Sequence, residues 1–202
     1  DLITAKEKAR KKNWDLGVQK AAFIGLNTTG VEGLLTQSGI TPNTTTITKP
    51  ISTMTGAELK AFCAAVLGVY RANCNYTAWP THFAVPESDY LGLAAPSSAD
   101  YPLKSVLQVL QETFQTMTKN LNFQIMPCAY GDAANLGLDL QRYALYNADP
   151  ESIRMDIPVD YTSTLANTMN NYHFESVAYG QLTGVKAYRP AELVYFQYAP
   201  TP

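Results

Sequence analysis

The stretch Ala22-Phe23-Ile24-Gly25-Leu26-Asn27-Thr28-Thr29-Gly30-Val31-Glu32-Gly33-Leu34 decides how this chain is read. Its first part suits a helix, and Gly25, Gly30 and Gly33 then break it. Gly25 to Gly30 also fill the first six positions of a phosphate-binding loop. That loop must continue with Lys, which meets the phosphates, and with Ser or Thr, which meets magnesium. Here Val31 and Glu32 follow, so the nucleotide reading fails. What remains is a glycine-rich turn at the end of a helix.

Upstream, Thr4-Ala5-Lys6-Glu7 fits a capping box and predicts a helix from there to about Leu26. Its apolar positions, Ala5, Ala9, Leu16 and Phe23, are separated by Lys and Asn. So thin a stripe is poorly buried by this chain alone and calls for missing sequence or a neighbouring molecule. Residues 1–20 hold six bases against three acids, while the remainder holds nine bases against fourteen acids. Basic charge is thus concentrated at one end, which disfavours a broad phosphate-gripping face. The run from Lys6 to Lys12 reads equally well as a solvated helix face and as one turned to nucleic acid.

Downstream, residues 25–50 read as loop and extended chain, with the Thr-rich tract Thr41–Thr48 and Pro42 suited to an exposed turn or edge strand. Thr55-Gly56-Ala57-Glu58 is a second capping box. Behind it Leu59, Phe62, Cys63, Val66, Leu67 and Tyr70 keep the helical period. Thr81–Val85 is a strand stopped by Pro86, and Tyr90 and Leu91 open a short helical piece. Asp100 is expected to cap a helix to about Asn120, with Leu103, Val106, Leu107, Leu110, Phe114 and Met117 as its stripe. Phe123–Met126 is a strand stopped by Pro127. From Arg142 the pattern is β: Arg142–Tyr146, Ile153–Val159, Val177–Tyr188 and Leu193–Tyr198, with a turn at Asn147–Pro150 and an Asn-rich connection at Asn167–Tyr172. The fold class is α+β, a mixed α/β body of helices laid against a sheet.

The 202 residues suffice for one sizeable core. A 46% hydrophobic and 16% charged composition excludes a disordered chain. No apolar run reaches the roughly 20 residues that span a bilayer, and no secretory signal opens the chain. Cys63, Cys74 and Cys128 are too few and too dispersed for a disulfide framework or a Cys-rich zinc site, and free thiols are expected. Cys63 sits on a helix stripe as a small core residue. His82 and His173 have no second ligand at metal spacing, and no Gly-x-Ser-x-Gly elbow is present. Asp132, Asp139, Asp149, Asp156 and Asp160 are scattered and do not form a calcium loop. The Asn-x-Thr sequons at Asn27, Asn43 and Asn75 are what a Thr- and Asn-rich chain produces by chance. No cofactor or metal is expected. The residues alone describe a mixed body with no visible active site and a terminal helix that needs a partner.

Three segments carry a resemblance. The helix that ends in Gly25-Leu26-Asn27-Thr28-Thr29-Gly30-Val31-Glu32-Gly33-Leu34 resembles the place where the long spine helix of tailed-phage major capsid proteins gives way to the next domain. Ala187-Tyr188-Arg189-Pro190-Ala191-Glu192-Leu193-Val194-Tyr195-Phe196 resembles the closing strand of that family. Phe83-Ala84-Val85-Pro86 with Tyr90 and Leu91 resembles its strand and following turn, and the order of elements agrees. This is the Hong-Kong-97-type shell fold, shared with encapsulin compartments.

The resemblance implies a spine helix and glycine loop over residues 1–35, an axial domain over 36–170 and peripheral return strands over 171–202. Gly25, Gly30, Glu32, Gly33, Tyr188, Arg189 and Pro190 would be its fold-signature positions. It implies no enzyme and no catalytic residue. It implies a structural head protein that self-assembles as pentamers and hexamers into an icosahedral shell around double-stranded DNA. Scaffold, maturation protease and portal would be partners, no membrane would be involved, and the product would be a virion assembled in a bacterial cytoplasm. Lys8, Arg10, Lys11 and Lys12 would face the interior and the DNA. The family's N-terminal arm and extended loop are not in this sequence, which begins at Asp1, so this stretch on its own is not expected to assemble. Three alternatives stand beside this one: an encapsulin-like compartment, a small cysteine hydrolase using Cys128 or Cys63 with His173, and a monomeric adhesion or lectin-like module suggested by the richness in Thr, Asn and Tyr.

Overall fold

The computed structural model describes residues 2–26, 30–95, 103–164, 167–170 and 173–199. They fall into two compact units, residues 1–36 with 155–186 and residues 37–154 with 187–202. The crossings lie at 36/37, 154/155 and 186/187, where the sequence reading set 35/36 and 170/171.

The larger unit is built on a four-stranded sheet. Its strands are β1 (His82–Pro86), β2 (Gln124–Cys128) and β3 (Gln141–Tyr146), closed by the last strand of the chain, β10 (Leu193–Tyr198). Their order is β10-β3-β1-β2. β1 and β2 are parallel, joined by a crossover through α3 (Glu87–Ala94) and α4 (Val106–Thr118); β3 runs antiparallel to both of its neighbours. One sheet face presents Phe83, Val85, Ile125, Tyr143, Leu145, Val194 and Phe196 to α2 (Gly56–Asn73) and α4. At the centre Phe114 stacks on Phe123 at 5.0 Å and meets Phe83 at 5.8 Å, with Phe62 edge-on at 6.4 Å.

α2 forms as its sequence requires. The Thr55 hydroxyl accepts from the Glu58 N–H, and the Glu58 carboxylate accepts from the Thr55 N–H. Its periodic residues from Leu59 to Tyr70 are all buried. α4 departs from expectation. It starts behind Ser105, whose capping box with Gln108 replaces the expected cap at Asp100, a residue outside those described. Leu103, assigned to the stripe, lies before the helix and is 95% exposed, and Met117 is 38% exposed. The expected strand stops at proline also shift. Pro86 closes β1, and β2 runs through Pro127 to Cys128. β2 is an edge strand, where a residue without an N–H breaks no ladder.

The smaller unit sets α1 (Leu2–Ile24) against a β-ribbon of β5 (Val159–Ser163) and β8 (Ala178–Gln181), extended by β6 (Asn167–Asn170) and β7 (His173–Glu175). The expected strands 153–159 and 177–188 are each divided. The first gives β4 (Ile153–Arg154), which belongs to the larger unit, and the start of β5; the second gives β8 and the short β9 (Lys186–Ala187). Of the Asn-rich segment 167–172, read as a connection, residues 167–170 form strand β6 paired with β7, and 171–172 lie outside the described residues. In the larger unit, a short helix α5 (Ala133–Leu136) lies between β2 and β3.

The capping box expected at Thr4 is absent: α1 already runs at Leu2, so Thr4 is interior, and the Glu7 carboxylate faces the ribbon instead. The packed face of α1 is Ile3, Glu7, Arg10, Trp14, Val18 and Ala21, a heptad-like spacing that includes two charged residues. Of the stripe read from sequence, Ala5, Ala9 and Leu16 lie exposed on the other side, and Phe23 is half-buried.

Candidate functional site

The glycine stretch closes the C-terminal end of α1. Gly25 takes the left-handed conformation (φ +73°), and its N–H donates to the Ala21 carbonyl at 3.0 Å. The chain then returns. The Leu34 N–H reaches the Ala22 carbonyl at 2.7 Å, the Leu35 N–H reaches Phe23 at 2.8 Å, and the Thr36 hydroxyl reaches Ile24 at 3.2 Å. The last carbonyls of the helix are thereby satisfied by its own loop. Gly33 is required because a Cβ there would stand 2.5 Å from the Phe23 carbonyl group. Gly30 (φ +67°) turns in open space. The Glu32 carbonyl accepts from the Val185 N–H at 3.0 Å, which ties the loop to the return segment. This is a helix C-terminus, with its partial negative charge, so it cannot cradle phosphate.

The four basic residues do not act alike. The Arg10 guanidinium donates to the Ser176 hydroxyl at 2.9 Å and to its carbonyl at 3.3 Å, and pairs with Glu7 at 3.3 Å. Glu7 also accepts from Ser163 at 2.8 Å, Ser176 at 3.0 Å and Tyr161 at 3.2 Å. The Ser163 hydrogen bond leads in holding this carboxylate below its ordinary pKa, helped by Ser176, Tyr161 and Arg10 and opposed by burial. Arg10 and Glu7 are therefore a clamp between α1 and the ribbon. Lys11 pairs with Asp15 at 3.3 Å and lies 6.0 Å from the Tyr161 ring centre. Lys8 and Lys12, one turn apart, are exposed on the outer side of α1.

In the larger unit, Tyr188, Arg189 and Pro190 make a fastening turn. The N–H groups of Tyr188 and Arg189 both reach the Ser152 carbonyl, at 2.8 and 3.2 Å. Arg189 pairs with Glu151 at 3.1 Å and with the buried Glu192 at 3.5 Å. Arg154 lies over the Tyr188 ring at 5.6 Å. Pro190 starts the short turn that leads into β10.

The hydrolase reading finds no support in the geometry. All three cysteines are free and buried. Burial pushes the Cys63 thiol up to about 12 and the Cys128 thiol up to about 11, the opposite of an activated nucleophile. His173 lies in the other unit, in β7. His82 stacks on Tyr146 at 5.5 Å, shares a 2.8 Å hydrogen bond with the Thr81 hydroxyl, and is held below its ordinary pKa by burial. Among the described residues no cluster of His, Cys, Asp or Glu suits a metal ion, and no helix is long and apolar enough to cross a membrane.

A family model described as major capsid protein matches residues 1–198. The capsid of Myoviridae phage XM1 is similar at a TM-score of 0.79 and 14% identity, over 98% of this chain and 65% of that one. A virus-like particle from Pyrococcus furiosus follows at 0.52 and 13%, over 81% and 58% of the two chains. A Mycobacterium phage Ogopogo structure follows at 0.50 and 10%, over 90% and 63%. At these identities the structures speak for the fold, and the chain spans about two thirds of the length of the first. No curated protein sequence matches significantly. With a family match over almost its whole length, and a fold to agree with it, the chain belongs to the major capsid protein family.

Proposed function

We propose that this protein is the structural head protein of a tailed phage or prophage, acting by assembly and not by catalysis. Its main partner is itself, as pentamers and hexamers of an icosahedral shell around double-stranded DNA. The observation that carries the reading is the family match over residues 1–198, with a fold similar to that of a phage capsid. The likeness to the Pyrococcus furiosus particle is weaker, 0.52 against 0.79, so the encapsulin-type reading gains nothing on it. Many modest contacts repeated around symmetry axes then give a closed particle. In this reading α1 with its glycine loop and the ribbon belong to the peripheral part, and the sheet unit to the axial part. Scaffold, maturation protease and portal are its helpers, the bacterial cytoplasm is where it assembles, and the virion is where it ends.

The DNA-facing assignment divides with the geometry. Lys8 and Lys12, exposed on the outer side of α1, are the phosphate contacts; Lys11 contributes beside Asp15, and Arg10 holds the ribbon. The test is electron microscopy of the complete protein, expressed alone and with its scaffold. Closed shells or capsomer rings are expected. A strict monomer under both conditions overturns the assembly reading. Lys8→Gln with Lys12→Gln should leave shells intact and lower the DNA they retain as salt rises; unchanged retention removes the DNA role.

A further inference from the structure

The outer edge of β2 carries no strand among the described residues. An open edge with free N–H and C=O groups is a template for pairing with another chain. Here α4 supplies a substitute. The Gln111 side-chain carbonyl accepts from the Ile125 N–H at 2.9 Å, and its amide N–H₂ donates to the Phe123 carbonyl. These two backbone groups, two residues apart, are those that a neighbouring strand would use. One turn later the Gln115 amide donates to the Leu121 carbonyl at 2.9 Å and shares the Phe123 carbonyl at 3.4 Å. Beyond Ile125 the edge reaches Pro127, which has no N–H to offer. Two glutamines and a proline thus occupy the edge from Leu121 to Pro127.

We infer that Gln111 is an edge guard: its carboxamide takes the place of a strand on β2 and prevents a second copy of this chain from pairing there. The inference goes beyond the shell reading and does not depend on what a shell encloses. Beside Gln111 lies a hollow of about 300 Å³, lined by Tyr90, Leu107, Glu112 and Ile125. An incoming strand would find room there for a side chain once the amide is gone. For a protein whose copies meet at high local concentration, edge pairing competes directly with productive contacts, and specificity requires that it be blocked.

The test compares the complete protein with Gln111→Ala and with Gln111→Lys. Both lose the carboxamide, but lysine leaves a charge on the edge that still deters pairing. Off-path association is read by sedimentation and by thioflavin fluorescence. Gln111→Ala should associate several-fold faster than the wild type, and Gln111→Lys should stay near it. Two results overturn the inference: both variants unchanged, or both equally prone to associate, which would reduce the effect to lost stability. Should Gln111→Ala fail to fold, the wild type still decides. Hydrogen exchange at the Ile125 amide should be slow despite its edge position, and fast exchange there would show that Gln111 does not hold it.

Discussion

The indole of Trp14 lies on the bare α-carbon of Gly180. A Cβ at Gly180 would stand 2.5 Å from Cη2 of the indole and 2.7 Å from Cζ2. Tyr161 meets the same indole at 6.4 Å. The absence of a side chain on β8 is thus what lets the largest residue of α1 sit on the ribbon. Gly180→Ala should destabilise the smaller unit by about 1–3 kcal/mol, because ring or strand must move. Gly17 gives the opposite sign. It lies within α1 with open space around it, so Gly17→Ala should stabilise the helix by about 0.5–1 kcal/mol. Thermal unfolding followed by Trp14 fluorescence, with Trp79→Phe as background, checks both. Equal shifts of the same sign would mean that the contact carries no energy.

Much of this arrangement was legible locally and much was not. Thr55 and Glu58 lie three residues apart and satisfy each other, so the start of α2 could be read directly. The strand Leu193–Tyr198 was legible for the same reason: its run of Leu, Val, Tyr and Phe needs no distant partner to be recognised. The inner face of α1 was not. Glu7 and Arg10 look like solvent residues until Ser163 and Ser176, more than 150 positions away, arrive to bond them. Ala5, Ala9 and Leu16 lie exposed, in keeping with a stripe too thin to be buried by this chain alone, and the packed face is the one that those distant serines complete. Ser105 caps α4, although Asp100 offers an equally good local cap signal earlier in the chain. Strand β6 is not legible locally, because its Asn and Thr residues carry no apolar alternation. The glycine loop was legible as a turn, but its role as a helix cap depends on Leu34 and Leu35 folding back.

The Glu7 clamp predicts an acid-sensitive smaller unit. The hydrogen bonds from Ser163, Ser176 and Tyr161 and the charge of Arg10 favour the ionised carboxylate, so its folded pKa lies below the ordinary 4.5. A lowered folded pKa gives stability that is present above the unfolded value and is lost as pH falls through the folded one. Unfolding of this unit should therefore become easier below about pH 4.5. Glu7→Gln should weaken the unit at neutral pH and flatten the acid limb of a stability–pH curve. An unchanged acid limb in the variant would assign the effect to other carboxylates.

Asp89 predicts a larger effect in the sheet unit. It is 4% exposed, and accepts from the Ile51 N–H at 2.8 Å, the Ser52 N–H at 2.9 Å and the Tyr143 hydroxyl at 2.7 Å. Asp89→Ala leaves three donors, two on the turn at Ile51–Ser52 and one on β3, without an acceptor and should cost roughly 3–5 kcal/mol. Asp89→Asn keeps one acceptor oxygen and turns an amide N–H₂ toward other donors, so it should recover only part of that. Chemical denaturation measures both. A loss under 1 kcal/mol for the alanine variant would mean that water replaces the carboxylate at little cost.

The cysteines allow the catalytic alternative to be tested without knowing a substrate. A nucleophilic thiol must ionise near neutral pH, and burial works against this at Cys63 and Cys128, raising them to about 12 and about 11. Native protein at pH 8 should react slowly with a thiol reagent, and all three cysteines should react once it is unfolded. The same burial fixes the sign of the alkaline response. A raised folded pKa gives stability that is complete below the unfolded value, near 9.0, and is lost as pH rises through 11 to 12. The sheet unit should therefore loosen in strong alkali, with Tyr143 and Tyr146, also raised by burial, adding to the loss. Cys63→Ala with Cys128→Ala should lessen that sensitivity, at the expense of packing. One cysteine labelled rapidly in the native protein at pH 8 would reverse the assignment, because only an activated thiol behaves so.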